Sequence, residues 1–314
     1  MRKFSGLQIA IGFGAALVAV LGLLFLAAST PDLPRAALEA KYATPPSQFL
    51  TLPDGTRVHY RVRGPDGAPA IVLLHGYMGS LFAWEKWSAI LSDHFRVVSV
   101  DLPGNGLTGA VPSGDYSHGA MAQFVKAFAD KLGLKRFAVA GNSMGGDVAA
   151  HFAELYPDRV SALVLVDAAG AQTETRQRRN LIGFVAGLPL TKSFAPSLPP
   201  CWLFPVGRHK AWNDCGNDPT WDFARLPGVR AAMLAHYRLP LDGYVWAHAR
   251  DIKAPTLILW GQNDHTIPIA SAYAWNKAIA GSKLITYPHA GHVSMLDVPE
   301  KSAADVRQFL SESR

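Results

Sequence analysis

Short apolar runs and helix-period segments alternate along most of this chain. Phe49–Leu52 and Val58–Val62 alternate apolar and polar positions, and Pro53-Asp54-Gly55 between them has the composition of a hairpin turn. Ala70–Leu74 and Val97–Val100 are continuous apolar runs, as expected of strands covered on both faces. The first ends in His75-Gly76-Tyr77-Met78-Gly79 and the second in Asp101-Leu-Pro-Gly-Asn-Gly106. Helical patterns are predicted at about Leu81–Leu91 and Gly119–Leu132. A further strand ends at Gly141, followed by a helix with Gly145 and Gly146 in its first turn. Ala162–Val166, Thr256–Trp260 and Leu284–Tyr287 complete the predicted strands. Strands alternating with helices predict an α/β fold, a doubly wound and mostly parallel sheet, built from residues 48–169 and 251–314. Residues 170–250 break the alternation. They are rich in Pro, Trp, Leu and Phe and read as an inserted, mainly helical cap or lid.

The N-terminus has its own pattern. Arg2 and Lys3 precede Leu7–Ala28, an uncharged stretch of 22 residues. As a helix it would be about 33 Å long, enough to cross a hydrocarbon core of about 30 Å. Residues 1–30 are therefore expected to be a membrane anchor with its basic end cytoplasmic and the rest of the chain periplasmic or extracellular. The alternative is a signal segment cut near Ala27-Ala28-Ser29, releasing a secreted protein. Residues 31–47, with Pro45 and Pro46, read as a linker.

Composition narrows the class. At 314 residues and 49% hydrophobic, the chain can bury one large α/β core. Ten Lys/Arg against five Asp/Glu within residues 171–250 account for most of a net charge of +6. No basic run or nucleic-acid motif accompanies this excess, so a solvated or lipid-facing basic surface is expected and no nucleic-acid partner. The histidines show no metal-ligand spacing, and neither metal nor cofactor is expected. Cys201 and Cys215 are the only cysteines. Outside the cytoplasm they are able to form a disulfide within the cap.

Gly141-Asn142-Ser143-Met144-Gly145 fits G-x-S-x-G, in which a strand turns sharply into a helix and leaves a strained serine at the bend. Glycines suit the places where the two backbones approach most closely. The helix N-terminus adds free N–H groups beside Ser143. Taken alone, the string also fits an ordinary Gly/Ser turn without chemistry.

Five motifs in order raise its meaning: His75-Gly76, Asp101-Leu-Pro-Gly104, Gly-Asn-Ser143-Met-Gly, Trp260-Gly-Gln-Asn-Asp264 and Gly291-His292. Over about residues 48–312 the chain resembles the α/β-hydrolase family. The resemblance implies Ser143 as nucleophile, Asp264 as the acid after the strand ending at Trp260, and His292 as the base after the last strand. It also implies an oxyanion hole from the backbone N–H groups of Tyr77 and Met144, beside the glycines Gly76, Gly141 and Gly145. Asp167 is a rival acid, because a loop after Val166 can also reach the histidine. His289 and His75 are rival bases, read here as structural. Asn105 stands where the family's Pro-Gly-x-Gly turn often has histidine.

The expected activity is a serine hydrolase cleaving carboxylic esters, with an apolar acyl group suggested by the cap and anchor. The anchor, His-Gly loop and Ser-Met-Gly elbow are similar to those of monoacylglycerol-lipase-like hydrolases, which makes lipid-derived esters plausible substrates. Gly-Asn-Ser-Met-Gly-Gly is shared with carbon–carbon bond hydrolases of ring-fission diketones, the alternative enzyme. A scaffold without turnover is disfavoured, because all three triad positions are filled.

Overall fold

The computed structural model describes Val20 and residues 32–171, 219–239 and 247–313. The elements are α1 (Arg35–Tyr42), β1 (Ser47–Thr51), β2 (Arg57–Arg63), β3 (Ala70–Leu74), α2 (Glu85–Leu91), β4 (Arg96–Val100), α3 (His118–Lys131), β5 (Phe137–Asn142), α4 (Met144–Leu155) and β6 (Val160–Val166). They continue with α5 (Pro219–Ala224), α6 (Val229–Tyr237), β7 (Thr256–Gly261), α7 (Ala270–Ala278), β8 (Lys283–Tyr287), α8 (Ser294–Asp297) and α9 (Pro299–Glu312). The eight strands form one sheet in the order β1-β2-β4-β3-β5-β6-β7-β8. β2 is antiparallel to both its neighbours, and the strands from β4 to β8 run parallel.

The apolar runs become strands because the sheet is covered twice. Successive side chains on a strand point to opposite faces. Val72, Leu74, Val139, Leu163, Leu165, Ile258 and Trp260 share one buried cluster with Phe124 and Phe128 of α3, Val148 and Phe152 of α4, and Trp275 of α7. Their immediate neighbours Ile71, Leu73, Ala138, Ala140, Val164, Leu257 and Leu259 pack on the other face against Trp87 and Leu91 of α2 and Val306, Phe309 and Leu310 of α9. Every chain end carrying a candidate residue (after β3, β5, β6, β7 and β8) therefore leaves one edge of the parallel region, where open α/β sheets place ligands.

Of the predicted linker, residues 31–47, the described residues 32–47 do more than connect. α1 buries Leu38 at 1% exposure against Leu107, Phe223, Leu226 and Val229. Lys41 and Tyr42 each donate to Asp222 at 2.7 Å. The partners of Leu38 lie far along the chain, so no local periodicity announces this packing. Of the predicted anchor only Val20 is described, and no described helix is long and apolar enough to cross a membrane. Of residues 170–250, the described parts include α5 and α6, whereas Cys201, Cys215 and Leu181–Leu190 lie outside the described residues.

Asp101 ties the loops beneath the site together. Fully buried, it accepts from Leu81 N–H at 2.7 Å, Leu107 N–H at 2.8 Å and His59 Nδ1 at 2.7 Å. Burial pushes its carboxyl upward, but His59, His75 and the Leu81 amide outweigh this and hold it below the usual carboxylate range. The stabilisation is thus present above about pH 4 and is lost as pH falls through the folded value. Replacing Asp101 by Ala strands three buried donors and is expected to cost about 3–5 kcal/mol in urea denaturation at pH 7. A loss below about 1 kcal/mol contradicts its place as the tie between these loops.

Candidate active site

Ser143 lies between β5 and α4 with φ 52° and ψ −119°, a backbone conformation that L residues seldom adopt. The flanking glycines make this possible. A Cβ at Gly141 would lie 2.0 Å from Gly145 O, and one at Gly145 would lie 2.2 Å from Leu74 O. At Gly146 it would meet Ala168 Cβ at 2.4 Å. The strand, the helix and the β3 turn thus press together at backbone distance. The bend is held by Ser143 N–H donating to Val166 O at 3.1 Å and by Ser143 O accepting from Ala169 N–H at 2.9 Å.

The loops after β7 and β8 converge on this serine. His292 Nε2 is 2.9 Å from Ser143 Oγ, and His292 Nδ1 is 2.7 Å from Asp264 Oδ2. A carboxylate only accepts, so Nδ1 carries the proton and Nε2 is free to accept from the serine hydroxyl. The other oxygen of Asp264 accepts from Thr266 N–H at 2.7 Å and Ile267 N–H at 2.9 Å. These bonds fix the carboxylate plane toward the imidazole. Burial pushes the His292 pKa down, but the bond to Asp264 and the charges of Asp264 and Asp167 raise it above the ordinary value. An imidazolium formed during proton transfer is thereby stabilised.

Met144 is the first residue of α4, where a backbone N–H has no acceptor within the helix. The turn after β3 runs against the serine, since a Cβ at Gly76 would lie 3.2 Å from Ser143 Cβ. Met78 takes φ 60°, and its N–H donates to Asn105 Oδ1 at 3.1 Å. Asn105 therefore fixes the turn that presents Tyr77. The Tyr77 hydroxyl donates to Met233 O at 3.0 Å, and its ring stacks on His236 with centroids 5.1 Å apart. Both partners belong to α6, which thus lies over this turn.

The rivals fall elsewhere. His75 is fully buried, with Nε2 accepting from Leu102 N–H at 3.0 Å and Nδ1 bonded to Gly76 O at 2.7 Å. Both ring nitrogens serve backbone groups, and burial lowers its pKa, so it is a neutral scaffold residue. His289 is exposed. Asp167 lies under the site without bonding the His292 ring; its oxygens accept from Gly261 N–H and Ser294 N–H. Sequence reasoning missed the roles of Asn105 and Asp101. The one signal for either was their place in the Asp101–Gly106 motif. Among the described residues no group of His, Cys, Asp and Glu is arranged to hold a metal.

Comparison with known proteins agrees with this architecture. Residues 69–299, more than half of the chain, match the family described as alpha/beta hydrolase fold. The chain is 29% identical to the 2-hydroxy-6-oxo-2,4-heptadienoate hydrolase of Pseudomonas putida, over 77% of this chain and 88% of that protein. It is also 29% identical to the monoacylglycerol lipase of Homo sapiens, over 80% of this chain and 78% of that one. A thermophilic esterase from Thermogutta terrifontis superposes with a TM-score of 0.69 at 25% identity, covering 85% of this chain and 98% of the esterase.

Two glycines of similar sequence context separate close approach from mere flexibility. Gly145→Ala is expected to lower stability by roughly 2 kcal/mol or more in urea denaturation, because its Cβ meets backbone that cannot yield. At Gly119, in the first turn of α3, nothing lies within 4 Å of an added Cβ. Alanine there is expected to be neutral or stabilising by up to about 1 kcal/mol. Equal effects at both positions contradict the close-approach argument.

Proposed function

The chain belongs to the α/β-hydrolase fold family, and on that footing we propose that it is a serine hydrolase cleaving carboxylic esters through an acyl-enzyme. The observation that carries this reading is the single imidazole spanning Ser143 Oγ at 2.9 Å and Asp264 Oδ2 at 2.7 Å. A serine hydroxyl is a poor nucleophile until a base takes its proton as it attacks. His292 Nε2 takes that proton while Ser143 Oγ bonds the ester carbonyl carbon. The carbonyl π-electrons move to oxygen, where the N–H groups of Met144 and Tyr77 receive the negative charge. Collapse breaks the bond to the leaving alcohol, which collects the proton from His292. Water then repeats the sequence on the acyl-enzyme, returning Ser143 and releasing the acid. Asp264 holds the tautomer and stabilises the imidazolium throughout, without itself becoming protonated.

An apolar acyl group, with lipid-derived esters such as monoacylglycerols as candidates, is the substrate class we favour. Three features support it: the apolar Leu7–Ala28 segment read as an anchor, the apolar and basic composition of residues 170–250 read as a lid, and the likeness to a monoacylglycerol lipase. α6 against the Tyr77 turn fits a lid lying over the site. On the same grounds we place the catalytic domain outside the cytoplasm, tethered by residues 1–30, with Cys201 and Cys215 able to pair there. A second reading is carbon–carbon bond hydrolysis of a ring-fission diketone with the same three residues. It is favoured by the equal identity to the P. putida heptadienoate hydrolase.

A panel of p-nitrophenyl esters of rising acyl length, run beside a vinylogous diketone on residues 32–314, separates the two. Turnover is expected to peak on a medium or long acyl ester and to vanish in Ser143→Ala. Peak activity on the diketone contradicts the ester reading.

A further inference from the structure

Asp167 is a buried carboxyl that the mechanism above does not use. It follows β6 with φ 47°, and its own N–H donates to Leu259 O at 3.0 Å. Its side chain is fully buried. Oδ1 accepts from Gly261 N–H at 2.8 Å, and Oδ2 accepts from Ser294 N–H at 2.8 Å. Gly261 lies three residues before Asp264, and Ser294 lies two after His292. One side chain is therefore bonded at once to the loop that carries the acid and the loop that carries the base. Apart from the Asp264–His292 bond itself, these loops are joined ahead of the histidine, by Gln262 N–H donating to Tyr287 O and Asn263 N–H to Ala290 O, both at 2.9 Å, and by Asn263 Nδ2 donating to Pro288 O at 3.1 Å. The Asp167 bond fixes the chain beyond it. Two residues later, Ala169 N–H holds Ser143 O, so the same short segment also touches the nucleophile's backbone.

We propose that Asp167 is a positioning residue of the reaction: its two oxygens set the distance between the Asp264 and His292 loops, and its charge adds to the field at the imidazole. The proposal rests on the serine-hydrolase reading above. It also removes Asp167 as the orienting acid, because both oxygens are engaged by backbone N–H groups and His292 Nδ1 is bonded to Asp264. Charge enters through neighbours on each packed loop and strand: His292 after β8, Asp264 after β7, and Tyr287 on β8, whose hydroxyl donates to Asp305 of α9. Burial pushes the Asp167 carboxyl up to about 7, against the pull of His292. It therefore changes charge in the range where the imidazole must be neutral to work. A negative charge here favours imidazolium, so the ionised form moves the acid limb of the activity profile to higher pH.

Asp167→Asn keeps one acceptor, places an amide against the other N–H and removes the charge. With a p-nitrophenyl ester and rates normalised to fluorophosphonate-titrated serine, kcat is expected to fall roughly tenfold or more, with KM changed less than about twofold. The acid limb is expected to move to lower pH by roughly half a unit or more. If the asparagine variant does not fold, Asp167→Ser is read in the same way. An unchanged kcat and an unmoved acid limb overturn the proposal. So does failure of both variants to fold while Asp264→Asn folds, which would leave Asp167 a purely structural role. Failure of the parent reading looks different: the wild type then shows no ester turnover dependent on Ser143.

Discussion

The organising constraint is the approach of three backbones around Ser143. β5 and α4 meet through Gly141 and Gly145, and the β3 turn closes on them from the other side. Any Cβ at the two glycines would overlap a carbonyl oxygen, so the serine's positive φ is enforced by packing on both flanks. That strain does two things. It lifts the hydroxyl out of the sheet edge toward the loops after β7 and β8. It also puts the first amide of α4, which has no acceptor within the helix, directly beside the serine. The polar network follows from this placement: His292 can meet Ser143 only because the parallel strands deliver both to one edge.

Around that point the structure separates carboxylates by their partners. Asp264 spends one oxygen on the imidazole and the other on two loop amides. Asp167, with no ring partner, gives both oxygens to amides and is driven upward by burial. Asp101, after β4, is pushed up by burial but held low by His59, His75 and the Leu81 amide. Three acids with one model chemistry thus take three roles, and what distinguishes them is the donor set that each loop brings.

Much of this was legible in the chain. Continuous apolar runs such as Ala70–Leu74 read as strands covered on both faces, and their alternate residues do divide between two cores. The order of motifs from His75-Gly76 to Gly291-His292 named the residues that the fold then brings to one edge. Other features were not legible because they carry no period and no local string. Leu38 buries itself against residues more than sixty positions away, so residues 31–47 read as a linker. Asp167 bonds amides 94 and 127 positions downstream, and backbone donors leave no trace in side-chain identity. Asn105 looked like a mild departure from a family turn, yet its side chain holds the amide of Met78.

The account depends on proton transfer from the Ser143 hydroxyl to His292. The most direct measurement is the rate of fluorophosphonate attachment to the protein as a function of pH, with the modified peptide identified by mass. A single adduct on Ser143 is predicted, with a rate that climbs as His292 loses its proton at or above the ordinary histidine value and collapses in His292→Gln. An adduct on another residue, or a His292→Gln protein that reacts as fast as the wild type, contradicts it.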